Sequence, residues 1–165
     1  MLGISTMVAI ERGEEPALID THAPFVTRAY ELALKSYTEG GCPIGSVLVR
    51  GDAIIGEGHN QRIQHGDPIA HGEMDALRNA GRQAHYRDTI LYTSLSPCMM
   101  CAGTIVQFGI PHVVIAENRN FGGNEAFLRE RGVLVEVVDD ARCIELMARF
   151  IAEQPALWNE DIAEG

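Results

Sequence analysis

From Ile44 onward the apolar residues of this 165-residue chain change period every few positions, and that alternation narrows the possible folds more than any other feature. Ile44 to Val49 and Ala53 to Ile55 are short apolar runs on either side of Gly51-Asp52, a pair with turn chemistry, so they predict an antiparallel hairpin. Beyond it the spacing predicts a helix over about His71 to Asn79, a strand over Ile90 to Thr93, a helix from Pro97 to Phe108 and a strand over Val113 to Ala116. A helix over Glu125 to Arg131, a β-branched strand over Val133 to Val138 and a long helix from Ala141 to about Glu153, capped by Asp140, complete the series. Ahead of the hairpin, Phe25, Ala29, Leu32, Ala33 and Ser36 keep a helical spacing until Gly40-Gly41 stops it.

A hairpin followed by alternating strands and helices predicts an α/β fold: a five-stranded mixed sheet with helices on both faces, in three α/β/α layers, its later strands paired in parallel. Residues 1–20 lack a period and read as an N-terminal extension. Residues 21–165 read as one domain, with a C-terminal closing segment at about 155–165 held outside the core. A chain of this size buries about 70% of its unfolded surface, so a metal is not needed to make a core, and any metal here is functional.

Charge and cysteine content narrow the function classes. With 13 basic against 23 acidic residues the formal net charge is -10, a field that repels polyanions, so long nucleic acid is not the expected partner. No stretch reaches the roughly 20 apolar residues of a membrane span. Leu2 to Ile10 has no basic segment before it and runs into Glu11, Glu14 and Glu15, so no signal peptide is expected and the predicted location is cytoplasmic. Four cysteines, Cys42, Cys98, Cys101 and Cys143, are too few and too scattered for a disulfide framework.

Two short motifs carry chemistry. His71-Gly72-Glu73 alone is weak, and Pro97-Cys98-Met99-Met100-Cys101 alone divides among redox pairs, zinc half-sites and buried core cysteines. Together they supply one imidazole and two thiolates, three positions of a tetrahedral zinc with the fourth left for water, which is a catalytic ligand count. Zinc lowers the pKa of such a water to about 7. Pro97 suits a first helical position, so Cys98 and Cys101 share one face of a first turn, where the helix dipole favours thiolate. His71 and Glu73, two apart, reach the same point only from a helix start. Glu73 is then the proton shuttle rather than a ligand; taken alone, a glutamate at a helix start more commonly only complements the helix dipole.

His-x-Glu with Pro-Cys-x-x-Cys is the signature of zinc deaminases, and the chain resembles the cytidine deaminase superfamily, most of all its yeast-type cytosine deaminases. Gly41 to Gly45, Gly58 to Asn60, Leu91 to Cys101, Phe108 to Pro111, Glu117 to Phe121, Val137 to Arg142 and Trp158 to Ile162 extend the resemblance. It implies one zinc per chain, a homodimer, and hydrolytic deamination of a small free heterocyclic base, cytosine to uracil, in pyrimidine salvage. It also implies roles by position. Asn60 and the Gly72 backbone hold the ring oxygen edge, Ser96 accepts from the amine, Phe121 and Trp158 pack on the ring, Ile44 lines the pocket, and Asp161 bonds the ring edge. Asn159 stands where that pattern has an aromatic residue, Asp67-Pro68 where it has small ones, and Met74-Asp75-Ala76 reads as in purine and RNA deaminases. A substituted cytosine, an aminotriazine, creatinine or a guanine-like purine therefore stays open as the ring. From other classes, a thiol-disulfide oxidoreductase would use Cys98 and Cys101 and leave His71 and Glu73 without work, and a zinc-stabilised interaction module would release no ammonia.

Overall fold

The computed structural model describes residues 20–164, so nearly all of the expected N-terminal extension lies outside the described residues. Helix α1 (Ala23–Thr38) starts with Pro24 in its first turn and ends where Gly40 takes a φ of +87°, as the Gly40-Gly41 stop predicts. The hairpin follows as β1 (Gly45–Arg50) and β2 (Ala53–His59), and then come a one-turn helix α2 (Arg62–His65) and α3 (Gly72–Ala80). Strand β3 (Thr89–Thr93), α4 (Met99–Phe108), β4 (His112–Ile115), α5 (Glu125–Glu130) and β5 (Leu134–Val137) alternate as expected. Helices α6 (Ala141–Glu153) and α7 (Pro155–Asp161) close the chain, and the Asp140 side chain caps α6 by accepting from Arg142 N and Cys143 N.

The sheet has five strands in the order β2-β1-β3-β4-β5. β1 pairs antiparallel with both β2 and β3, while β3, β4 and β5 run parallel, so the hairpin is joined to two right-sized crossovers in one mixed sheet. One face carries Leu48, Leu91, Val113 and Ile115 against α4 and α5, including Ala102, Ile105 and Leu128. The other carries Val47, Val49, Tyr92 and Val114 against Val26, Ala29 and Leu32 of α1 and Cys143 of α6. A third cluster, at the end of the sheet, joins Ile44 and Leu95 to Met147 and Phe150 of α6 and Trp158 of α7.

Three boundaries differ from expectation, each for a physical reason. Strand β2 runs four residues beyond Ile55 because its continuation, Gly56-Glu57-Gly58-His59, shows no apolar alternation. The glycines are there because α3 lies against them: a β-carbon at Gly56 or Gly58 would collide with the Ala76 backbone. Helix α4 starts at Met99 rather than Pro97, with Cys98 as an extended N-cap (φ -67°, ψ 172°). Helix α7 was not foreseen, and its Trp158 is 6% exposed within the third cluster, so the tail is built into the core rather than held outside it.

Close helix-on-sheet approach predicts a contrast between two glycines. A β-carbon at Gly45 would meet the Ala29 carbonyl and the Ala33 backbone, whereas at Gly103, inside α4, it would meet nothing within 4 Å. In chemical denaturation, Gly45→Ala is expected to lose about 1–3 kcal/mol. Gly103→Ala is expected to be neutral or to gain up to about 1 kcal/mol from helix propensity.

Candidate active site

Two helices aim their N-termini at one point beyond the carboxyl end of β3. His71 is the N-cap of α3, extended at φ -77° and ψ 157°, and Cys98 occupies the same position before α4. An N-cap side chain projects ahead of its helix, so both ligands reach the space between the two ends, and Cys101 joins them from the first turn of α4. Gly72 lets α3 begin this close to the hairpin: a β-carbon there would stand 3.1 Å from the Ile44 carbonyl oxygen.

The three candidate ligands fit zinc. Cys98 Sγ and Cys101 Sγ lie 3.5 and 3.7 Å from His71 Nδ1. A tetrahedral ion with Zn–S near 2.3 Å and Zn–N near 2.0–2.1 Å separates sulfur from nitrogen by about 3.6 Å. The site also favours thiolate at Cys98. The hydrogen bond from Cys101 pulls the Cys98 thiol down to about 4, with His71 adding to the effect, while Cys101, which supplies that bond, is pushed up. Burial lowers the pKa of His71, but the hydrogen bond to Cys98 and the charges of Glu73 and Asp161 outweigh it and leave it raised.

Glu73 sits in the first turn of α3, 4% exposed. Its Oε2 accepts from the Cys101 thiol at 3.4 Å, and its Oε1 is 3.2 Å from the Thr93 hydroxyl on β3. Burial, and then the charge of Cys98, pushes its pKa up, so this carboxylate takes a proton more readily than an ordinary one.

A cavity of about 430 Å³ opens in front of His71, Glu73 and Cys98. Five of the expected binding residues, Ile44, Ser96, Phe121, Trp158 and Asp161, line it. Phe121 and Trp158 meet edge to face, with ring centroids 5.9 Å apart. Asn60 and Gly72 are not on the cavity wall but directly behind it, where the Asn60 N–H donates to the Ile44 carbonyl at 2.8 Å. Asn60 is fully buried, and its Nδ2 has no hydrogen-bond partner. The Ser96 hydroxyl is engaged as a donor to Glu125 Oε1 at 3.0 Å.

Sequence reasoning missed the residues that hold these walls in place. Arg62, on α2, is buried and binds the tail twice, through Nη2 to Glu160 Oε1 at 2.8 Å and through Nη1 to Asp161 Oδ1 at 3.3 Å. Partners 98 positions apart leave no local signal. Glu117, fully buried, accepts from the backbone N–H groups of Arg119 and Asn120 and so folds the loop that carries Phe121. Leu95, Met99 and Asn124 also line the wall.

Known proteins match this chain along most of its length. Residues 19–117 match the cytidine and deoxycytidylate deaminase zinc-binding region. A cytosine deaminase of Candida albicans is 53% identical over 139 residues, covering 82% of this chain and 93% of the relative. A tRNA-specific adenosine deaminase of Streptococcus pyogenes is 33% identical over 155 residues, covering 84% of this chain and 94% of the relative. Among solved structures, guanine deaminase from Bacillus subtilis superposes with a TM-score of 0.56 at 37% identity, over 68% of this chain and 71% of that one.

Metal analysis tests the ligand set directly. Purified protein is expected to hold one tightly bound zinc per chain, and Cys98→Ser to lose metal and activity together; a mutant with wild-type turnover would exclude Cys98 as a ligand. The three ligands at zinc-ligand spacing and a family match over more than half of the sequence lead to one conclusion: the chain belongs to the cytidine and deoxycytidylate deaminase family and is a zinc-dependent deaminase.

Proposed function

We propose that the protein deaminates free cytosine to uracil and ammonia. The observation that carries this reading is Asp161. Its side chain is 5% exposed, it lines the cavity 3.4 Å from His71 Nε2, and its Oδ1 is a buried acceptor with no hydrogen-bond partner. Arg62 Nη1 lies 3.3 Å from this oxygen without making a hydrogen bond to it, and a buried carboxylate oxygen without one is costly, so a ring N–H offered by a substrate would supply it. Free cytosine has such an N–H at N1; cytidine carries its sugar on that atom. The 53% identical relative named cytosine deaminase supports the same assignment.

His71, Cys98 and Cys101 would hold the zinc, which when bound supplies Lewis-acid activation of a water. The chain's own residues do the rest. Glu73, with its raised pKa, takes a proton from the attacking water and delivers protons to ring N3 and to the departing amine. Water adds to C4 and ammonia leaves, so the atoms balance as cytosine plus water to uracil plus ammonia. The unpartnered Asn60 Nδ2 and the Gly72 N–H are assigned to the ring oxygen edge, and Ser96 to the amine. Phe121, Trp158 and Ile44 confine the ring. Arg62 latches the tail over it, which excludes water from the reacting centre.

We also assign the chain to the cytoplasm as a homodimer. Exposed Ile69 and Met99, the latter on the cavity wall, are surface for a second copy to cover. Sedimentation at micromolar concentration gives twice the chain mass if this holds. Long RNA is not the assigned substrate, because the net charge of -10 opposes it.

Two measurements test the chemistry. Glu73→Ala is expected to keep zinc and lose about 10²–10⁴-fold or more in turnover, and a mutant with more than about a tenth of wild-type activity would reduce Glu73 to a helix-dipole partner. Kinetics on cytosine, cytidine, 5-substituted cytosines, creatinine, aminotriazines and guanine are expected to favour cytosine over cytidine at least tenfold, since an unpaired buried acceptor costs about 1–3 kcal/mol. Equal efficiency on cytidine would sink the closed-tail reading, and activity on guanine alone would move the substrate assignment while leaving the zinc site intact.

A further inference from the structure

On the sheet face covered by α1 and α6, a second group of metal-binding side chains stands apart from the cavity. His112 opens β4 and Glu136 lies on β5, paired in register with Val114, so the two project from the same face. His22, the N-cap of α1, comes down over them. His112 Nε2 is 2.7 Å and His22 Nε2 3.0 Å from the same Glu136 oxygen, Oε2, and the three ligand atoms lie within 4.8 Å of one another. The imidazole rings stand edge to face, 5.7 Å between centroids and 85° between planes.

We propose that His22, His112 and Glu136 form a second metal site, one that takes zinc and clamps the start of α1 to β4 and the edge strand β5. Two imidazoles and one carboxylate are a borderline ligand set that suits zinc, whereas magnesium and calcium prefer all-oxygen shells. Bonds of 2.0–2.1 Å place tetrahedral ligands about 3.3 Å apart, so Glu136 Oε2 has to move away from both nitrogens, more from His112, now at 2.7 Å, than from His22, now at 3.0 Å.

Tyr92 is the independent sign that the site is built for a ligand. Its hydroxyl lies 2.9 Å from His22 Nδ1, the ring nitrogen that does not face Glu136. Burial pushes the Tyr92 phenol up to about 12, so its hydroxyl stays neutral and keeps its hydrogen bond with Nδ1. That contact holds the ring with Nε2 turned toward Glu136, which is how an outer partner orients a metal-ligating histidine. Glu136 is half exposed, leaving room for water to complete the shell. The adjoining cavity, about 130 Å³, is too small for a nucleobase-sized substrate, which makes this a clamp and not a second reaction centre.

The test starts from untagged protein carrying its one tight zinc, titrated calorimetrically with zinc chloride. One further equivalent per chain is expected. Glu136→Gln and His112→Gln are expected to abolish it while leaving the first zinc and basal turnover unchanged. Tyr92→Phe, which keeps the ring in the core, is expected to weaken it about 10–100-fold. With cobalt as the probe, the second equivalent is expected to lack the thiolate charge-transfer band of the first. Circular dichroism confirms that each variant is folded. No second equivalent in the wild-type protein, or one that binds Glu136→Gln with wild-type affinity, would overturn the proposal and leave a hydrogen-bonded His–Glu–His cluster.

Discussion

The meeting of two helix N-termini beyond β3 is the constraint on which the rest of the molecule depends. Helix starts carry unpaired N–H groups and partial positive charge, so they are favourable places for thiolate and carboxylate. Putting two of them face to face requires that α3 approach β1 and β2 closely, which is why Gly56, Gly58 and Gly72 line its path. It also requires a sheet whose strand order sets β1 between β3, the strand before Cys98, and β2, the strand before α2 and α3. The fold positions the ligands, and the ligands then require little from neighbouring loops.

The second constraint is closure. The cavity wall is completed by a C-terminal helix far in sequence from the ligands, and its grip comes from opposite sources. Trp158 joins a buried apolar cluster with Met147 and Phe150, while Arg62 holds Glu160 and Asp161 electrostatically. The apolar part packs the tail against α6, and the charged part ties it to α2. Asp161 therefore has two demands on it: its Oδ1 is 3.3 Å from Arg62 Nη1 and 3.4 Å from His71 Nε2, yet remains free to accept a better-aligned donor. Burial raises the Asp161 pKa, and the charges of His71 and Arg62 oppose that rise.

The layers of the fold were legible because strands and helices of different period follow one another with short turns. The metal ligands were legible because His71-x-Glu73 and Cys98-x-x-Cys101 are local spacings. What escaped was long-range or masked by glycine. Gly56 and Gly58 hid half of β2 because the close approach that demands them removes the apolar signal. The Arg62 latch spans 98 positions and the cluster brings His22 to His112 and Glu136 from the far end of the chain, so nothing near Arg62 or His22 marks the partner. Trp158 and Asp161 entered as expectations through resemblance, a route that gave no sign that the tryptophan is also core.

The central claim is an open three-ligand zinc site made by His71, Cys98 and Cys101, with a coordination position left for chemistry. X-ray absorption at the zinc edge, on protein carrying one zinc per chain, tests it most directly. The account predicts two sulfur neighbours near 2.3 Å and two nitrogen or oxygen neighbours at about 2.0–2.1 Å, one of them exchangeable. A shell of three or four sulfurs, or one with no sulfur, would contradict it.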